Sequence, residues 1–390
     1  MKKVLAAIAV VAVSSFGSMV FAADGEAPVV KGNIEVYGQA RLSVDMIDTG
    51  SKTAGADTSL SKLSSNSSRL GFKGSEEMSD DLSTVYQLEL GVNMDGTTQT
   101  TVESVTSATT NTTTGVTTVT TKNANVNTLG LRNTYVGLKS KTLGMLTFGT
   151  FDTPYKTATG QFDAFGDSMA DYNAIMGNVN GSSNFELRPK DVIAYSSPSW
   201  GGLQISAATS QSGSEAANAT ADARLVSASA VFKTGALAIA LAAESHKNGV
   251  ATWDAAGKEV TGARLGAGYT IGGTKIGLVF ETLKDDTATS AITRDAMYLA
   301  VSQKLGKETI KLAFGIADDG ESLAETGATF MAVGADHAFT KRTSAYVLYA
   351  ATKNDTNATY GLGQGGAGGA YTPKADEDPS VISFGVNHSF

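Results

Sequence analysis

The chain has 390 residues, with 30 Lys and Arg against 38 Asp and Glu, a formal net charge of −8 and no cysteine. The missing cysteines exclude a disulfide framework and thiol chemistry, and the acidic balance argues against nucleic acid as a partner. Although 42% of the residues are hydrophobic, no apolar run reaches the roughly 20 residues that a membrane helix requires.

Residues 4–13 form the longest apolar run, behind Lys2 and Lys3 and ahead of small residues up to Ala22. A basic start, an apolar stretch and a small-residue exit read as a secretory signal peptide covering 1–22. The remainder, 23–390, is expected to form a single barrel domain.

The first strong strand is 31–46. Ile34, Val36, Ala40, Leu42, Val44 and Met46 share one face, and Glu35, Tyr37, Gln39, Arg41, Ser43 and Asp45 share the other. Period two with charges of both signs on one face suits a strand between lipid and a watery lumen. A soluble sandwich strand has the same local pattern. A polar loop is expected over 47–65. Strand two is then expected near 66–73, with Arg69 and Lys73 inward, and strand three up to residue 93, with Gln87 and Glu89 inward. The Thr-rich stretch 95–127 lacks large apolar residues and reads as a long surface loop or a small β-excursion. Strands four and five follow at about 128–138, carrying Arg132, and 143–151.

Residues 152–188 refuse the alternation. Asp163, Asp167 and Asp171 recur there at spacing four among Phe162, Phe165, Met169 and Tyr172. That spacing predicts a short helix with carboxylates on one face, and a loop this long inside a regular barrel is usually functional.

Eleven further strands are expected at 190–197, 203–210, 222–233, 236–246, 261–271, 274–284, 293–305, 308–317, 328–339, 342–352 and 380–390. Sixteen strands result. Their connections alternate, tight at one end and long and polar at the other, which a transmembrane antiparallel β-barrel requires. Strands of about ten residues, tilted, cover the roughly 25 Å apolar band, and sixteen of them leave an aqueous channel. The last strand sets Ile382, Phe384, Val386, His388 and Phe390 on its apolar face, so Phe390 belongs in an interfacial aromatic girdle.

Several stretches together carry a resemblance. They are Val36-Tyr37-Gly38-Gln39-Ala40-Arg41-Leu42-Ser43, Ser68-Arg69-Leu70-Gly71-Phe72-Lys73-Gly74-Ser75-Glu76 and Tyr135-Val136-Gly137-Leu138. Phe148-Gly149-Thr150-Phe151-Asp152-Thr153-Pro154-Tyr155, Tyr195-Ser196-Ser197-Pro198 and Gly385-Val386-Asn387-His388-Ser389-Phe390 complete the set. In this order the chain resembles the general Gram-negative trimeric porins of the betaproteobacterial type. The resemblance implies a homotrimer in the outer membrane, with the third loop, 152–188, folded inward as a constriction. It implies acidic candidates Asp163, Asp167 and Asp171 on that loop, facing a lumen ladder of Arg41, Arg69 and Arg132. Where the family often has an arginine after the Phe-Gly pair, this chain has Thr150, which leaves the constriction less positive. Outer-membrane lipid, lipopolysaccharide and the barrel assembly machinery are the implied partners, with Phe390 as the assembly signal.

The expected mechanism is passive diffusion of ions and small hydrophilic solutes through a permanent lumen, with opposed charges ordering water and orienting dipoles. No cofactor or metal is expected. Catalysis would need a nucleophile with an oriented base, and His246, His337 and His388 sit in no convincing serine–carboxylate set. The alternatives are a solute-specific channel and a structural or adhesive barrel. Tyr37 and Tyr298 are the candidate lumen aromatics, too few for a sugar slide.

Overall fold

The computed structural model describes residues 32–55, 58–96, 105–110, 117–122, 129–180, 182–183, 185–210, 224–247, 259–286, 292–321, 323–364 and 369–390. The signal-peptide reading over 1–22 lies outside them.

Sixteen antiparallel strands close into one barrel. They are β1 (Gly32–Asp48), β2 in two pieces (Ser59–Ser65 and Arg69–Glu77), β3 (Leu82–Val92), β4 in two pieces (Leu129–Leu131 and Thr134–Ser140), β5 (Gly144–Thr150) and β6 (Val192–Ser196). Then come β7 (Leu203–Ser210), β8 (Arg224–Thr234), β9 (Leu237–Lys247), β10 (Glu259–Ile271) and β11 (Thr274–Asp285). The last five are β12 (Ile292–Leu305), β13 (Glu308–Ala317), β14 (Ala328–Ala338), β15 (Thr343–Asn354) and β16 (Ser380–Ser389). Each pairs with the next. β16 pairs with β1 over Gln39↔Ser389 to Asp48↔Ser380, which removes the sheet edges that an open sheet would expose.

Residues 47–65, expected as loop, hold the upper piece of β2, which pairs with the top of β1 from Leu42↔Ser65 to Asp48↔Ser59. The break between the pieces falls at 66–68, where Ser67 takes a positive φ of 54°. Ser68 spans the break, its hydroxyl donating to Arg41 O and accepting from Arg41 N. Within 95–127, Val105–Thr110 and Thr117–Lys122 pair as a small hairpin.

Burial is inverted relative to a water-soluble protein. Ile34, Val36, Leu241, Phe314 and Phe384 are exposed on the outer face, while Ser43, Asp45, Glu89, Glu281 and Arg294 are buried inside. Lipid takes the apolar side, and paired polar groups take the other. Phe390 folds back over Gly38, with backbone bonds in both directions of 3.0 and 3.1 Å. A Cβ at Gly38 would lie 2.3 Å from the Phe390 ring, so the absent side chain makes the ring's seat.

The apolar core is off-centre. Tyr155, Phe162, Phe165, Met169, Ile175, Met176 and Phe185, all from 152–188, pack against the inner wall of the second half of the barrel. That wall is made of small residues, including Ala240, Ala300, Ala313 and Ala332. At Gly266 and Gly277 the fit is tightest, because an added Cβ would come within 2.3 Å of the Phe162 ring and 2.5 Å of its carbonyl oxygen. The loop therefore fills one side of the lumen.

Candidate functional site

The constriction loop starts as a helix because Thr153 caps it. Its hydroxyl accepts from Lys156 N, and Pro154 occupies the first helical turn, where its missing N–H costs nothing. Helix α1 (Pro154–Thr159) and a following 3₁₀ turn, Gly160–Phe162, are the helical part of this stretch. The helix expected through Asp163, Asp167 and Asp171 is absent there. Only the single 3₁₀ turn Tyr172–Ala174 follows, with Asp171 as its N-cap. Spacing four was compatible with a helix, but the three carboxylates bind loop and wall groups that require an irregular backbone.

The rear of the loop is pinned by a buried charge cluster that sequence reading did not single out. Arg264 of β10 bonds Glu281 of β11 at 2.5 Å and Glu186 of the loop at 2.6 Å. Its guanidinium lies over the Tyr155 and Tyr172 rings, 4.4 and 5.4 Å from their centroids. Arg294 of β12 pairs with Glu281 at 3.0 Å and donates to Asn178 O. Gly177 N donates to both Glu281 oxygens, at 2.8 and 3.0 Å, and Tyr155 OH donates at 2.9 Å. Two arginines thus meet two glutamates, and loop backbone and the Tyr155 phenol fill further positions on Glu281, while Arg264 Nη2 and Arg294 Nε stay buried without a hydrogen-bond partner among the described residues. Each charge has an opposite partner, which is the condition for burying it. The available sequence signal was ionisable residues at inward positions of otherwise apolar strands.

At the tip the loop meets the opposite wall. Asp167 Oδ2 lies 2.7 Å from Arg41 Nη1 and 3.2 Å from Arg69 Nη2. Arg69 also bonds Gln39 Oε1 at 2.7 Å and stands 3.9 Å from Glu89. Glu89 bonds Arg132 Nε at 2.7 Å and accepts from Tyr37 OH at 2.9 Å. Arg41, Arg69 and Arg132 are therefore on one inner wall, joined by Asp167 from the loop and Glu89 from β3. Asp167 takes φ 56°, a left-handed conformation that aspartate tolerates better than most residues.

Asp163 and Asp171 are spent inside the loop. Asp163 accepts from Phe165 N, Tyr172 N and Tyr298 OH. Asp171 accepts from Asp167 N at 2.8 Å and Asn173 N at 3.0 Å, which holds the tip in its turn. Burial pushes both carboxyls up, and for Asp171 the neighbouring Asp163 adds to the rise. Tyr298, a candidate lumen aromatic, is fully buried under the loop, whereas Tyr37 borders the arginine wall.

Where the loop enters and leaves the wall a second clamp forms. Asp152 lies 3.0 Å from both Lys156 and Arg188, and Asn133 donates to it at 3.1 Å. Burial alone would raise this carboxyl, but the two cations outweigh it and hold it at about 2. Arg188 also bonds Asn133 Oδ1 at 2.8 Å, next in sequence to Arg132. Among these groups, five cations face three carboxylates. The histidines lie elsewhere: His246 stacks on Phe185 and bonds Glu244 at 2.7 Å, His337 bonds Glu308 at 2.6 Å, and His388 bonds Thr343 at 2.9 Å.

A model of the family described as Gram-negative porin matches residues 6–357. Among solved structures, the anion-selective porin from Comamonas acidovorans is similar at TM-score 0.72 and 22% identity, covering 92% of this chain and 100% of that one. OmpT of Vibrio cholerae in its trimer form is similar at TM-score 0.61 and 17% identity, covering 92% and 99%. Salmonella typhi OmpF, in a complex with daunomycin, is similar at TM-score 0.60 and 14% identity, covering 92% and 97%. At these identities the likeness to the solved structures is one of fold. No curated protein sequence matches the chain.

Proposed function

The chain belongs to the Gram-negative porin family and is an outer-membrane β-barrel channel for small solutes, and on that premise we propose a passive-diffusion pore with a weak preference for anions. The observation that carries this reading is the charge set at the loop tip. Among the described residues, the ion pairs of Arg41, Arg69 and Arg132 are made with Asp167 and Glu89. Arg188 and Lys156 against Asp152 add a further positive excess beside them. A ring with surplus cations lowers the barrier for anions, and the paired carboxylates keep that preference small. Arg188 supports a basic wall even though Thr150 stands where the family often has arginine.

Solutes are filtered by size and polarity. The arginine wall, with Asp167 in contact with Arg41 and Arg69, sets a local field at the loop tip, and an apolar solute would displace ordered water without replacing its hydrogen bonds. Asp163 and Asp171 belong to this reading as braces of the tip and not as facing charges. No catalytic step is assigned to any residue. A homotrimer fits the reading, since one fold neighbour carries the description of a trimer form. Export behind a signal peptide at 1–22, contact with lipopolysaccharide and delivery by the barrel assembly machinery through Phe390 belong to the same reading.

Planar-bilayer recording of the refolded protein in a KCl gradient tests it. Ohmic steps in groups of three with a reversal potential on the anion side are expected. A cation-side potential overturns the assignment of the arginine wall, and the absence of conductance from a heat-modifiable barrel overturns the diffusion reading.

A further inference from the structure

Beside the loop tip lies a polar cavity of about 230 Å³, smaller than the roughly 300–1,000 Å³ of sites for drug-sized ligands. Five successive strands each give it one inward polar side chain. Lys311 comes from β13, Asp336 from β14, Tyr346 from β15, Asn387 from β16 and Arg41 from β1. The row crosses the barrel seam, where Arg41 stands opposite Asn387 in the ladder. Asp167 closes it from the loop, and Phe165 and Leu348 add an apolar flank.

Two ion pairs line the cavity, and the aspartate of one of them, Asp167, is also 3.2 Å from Arg69. Lys311 Nζ lies 2.5 Å from Asp336, and Arg41 Nη1 lies 2.7 Å from Asp167. Lys311 and Arg41 sit four strand steps apart, so one pair stands at each end of the row. The four side chains keep between 21% and 30% exposure, which leaves them within reach of a solute in the lumen.

This distribution discriminates among solutes. A simple anion entering the cavity gains from Arg41 and Lys311 and is opposed by Asp167 and Asp336. For a simple cation the signs reverse. A neutral sugar can hydrogen-bond Tyr346, Asn387 and the charged groups, but it brings no charge of its own to set against either ion pair. A solute with one ammonium and one carboxylate can place each against its opposite, while its aliphatic part meets Phe165 and Leu348. Partly exposed pairs are individually weak, so residence is short and passage continues.

We infer that this cavity is a way-station for small zwitterions of the α-amino-acid class, an inference that rests on the diffusion-pore reading. The test is swelling of proteoliposomes in isosmotic L-valine, isovalerate, isobutylamine or arabinose. Isovalerate and isobutylamine each keep only one of valine's two charges. Wild-type protein is expected to admit valine faster than either singly charged analogue. In Lys311→Met/Asp336→Asn, which conserves net charge, the ratio of valine to arabinose entry is expected to fall about threefold, the size expected of one partly exposed ion pair. An unchanged ratio overturns the inference. If the double variant does not refold, the wild-type ranking decides, and valine no faster than both analogues overturns it equally. Failure of arabinose to enter wild-type vesicles would instead strike the diffusion reading, so the two failures are distinguishable.

Discussion

Asp167 holds its carboxylate 2.7 Å from the Arg41 guanidinium while its own backbone sits at φ 56°, and its N–H is tied to Asp171. The loop thus presents one charge to the wall and uses a second to aim it. Asp167→Asn is expected to raise the anion-to-cation permeability ratio roughly twofold in about 0.1 M KCl, where the Debye length is about 10 Å. The gain should nearly vanish at about 1 M, where it is about 3 Å. Reversal potentials at the two ionic strengths check this. An unchanged ratio at low salt would remove Asp167 from the constriction.

Asp171→Asn and Asp163→Asn should behave differently. Both side chains are turned into the loop and bond its backbone. Reversal potential is expected to stay near the wild-type value in each, and open-channel current is expected to stay quiet, because an amide oxygen still accepts from Asp167 N in the first and from Phe165 N in the second. A selectivity shift as large as that of Asp167→Asn would mean that these carboxylates face the solute after all.

Mild acid should leave the loop seated. Asp152 is held at about 2, below its ordinary value, so its clamp contributes stability above the ordinary carboxylate range and loses it as pH falls through about 2. Burial raises Asp163 and Asp171, so their charged forms cost stability at neutral pH, and that cost is relieved as acid protonates them. Both signs favour a docked loop from pH 7 down to pH 4. Single-channel conductance is expected to be flat over that window and to change only near pH 2–3. A jump between pH 5 and 6 would assign control to another group.

Glu281→Gln tests the rear anchor. One carboxylate there holds Arg264, Arg294, Tyr155 and Gly177 N. Breaking a buried ion cluster from one side costs about 3–5 kcal/mol. The temperature at which the barrel loses its compact electrophoretic mobility should fall, and subconductance flicker should appear. Wild-type stability with quiet current would show that packing alone seats the loop.

Gly277→Val tests the packing. The new side chain would meet the Phe162 backbone at 2.5 Å, where neither partner can swing away. Overpacking of this kind costs about 1–3 kcal/mol. The loop should move toward the arginine wall, lowering conductance without reversing selectivity. A conductance equal to wild type would mean that Phe162 does not hold the loop in place.

The barrel was legible because lipid and lumen impose opposite demands on neighbouring residues. Ile310, Leu312, Phe314 and Ile316 alternate with inward Lys311, Ala313 and Gly315, and β13 spans Glu308–Ala317 as the alternation indicated. The upper piece of β2 was not legible. Ser59, Ser61, Ser64 and Ser65 sit high on the wall, where both faces are polar and period two fades. The site was legible in part. Arg41 and Arg69 stood out as charges on an inward face, but spacing could not distinguish Asp167 from Asp163 and Asp171. Which of them faces the wall depends on one left-handed residue. The Arg264–Glu281–Arg294 cluster escaped because its partners lie on three strands and a loop, far apart in sequence.

The wall that seats Phe162, Phe165 and Ile175 is built from strands β8 to β15, all later in the chain than the loop itself. The loop has nowhere to dock until that half of the barrel has paired. During assembly its aromatic and aliphatic side chains must wait uncovered, in a segment that is already made but has no home. Constriction of the pore is therefore a late event in the life of each molecule. A barrel caught before that half has paired would be a wider and stickier object than the finished one.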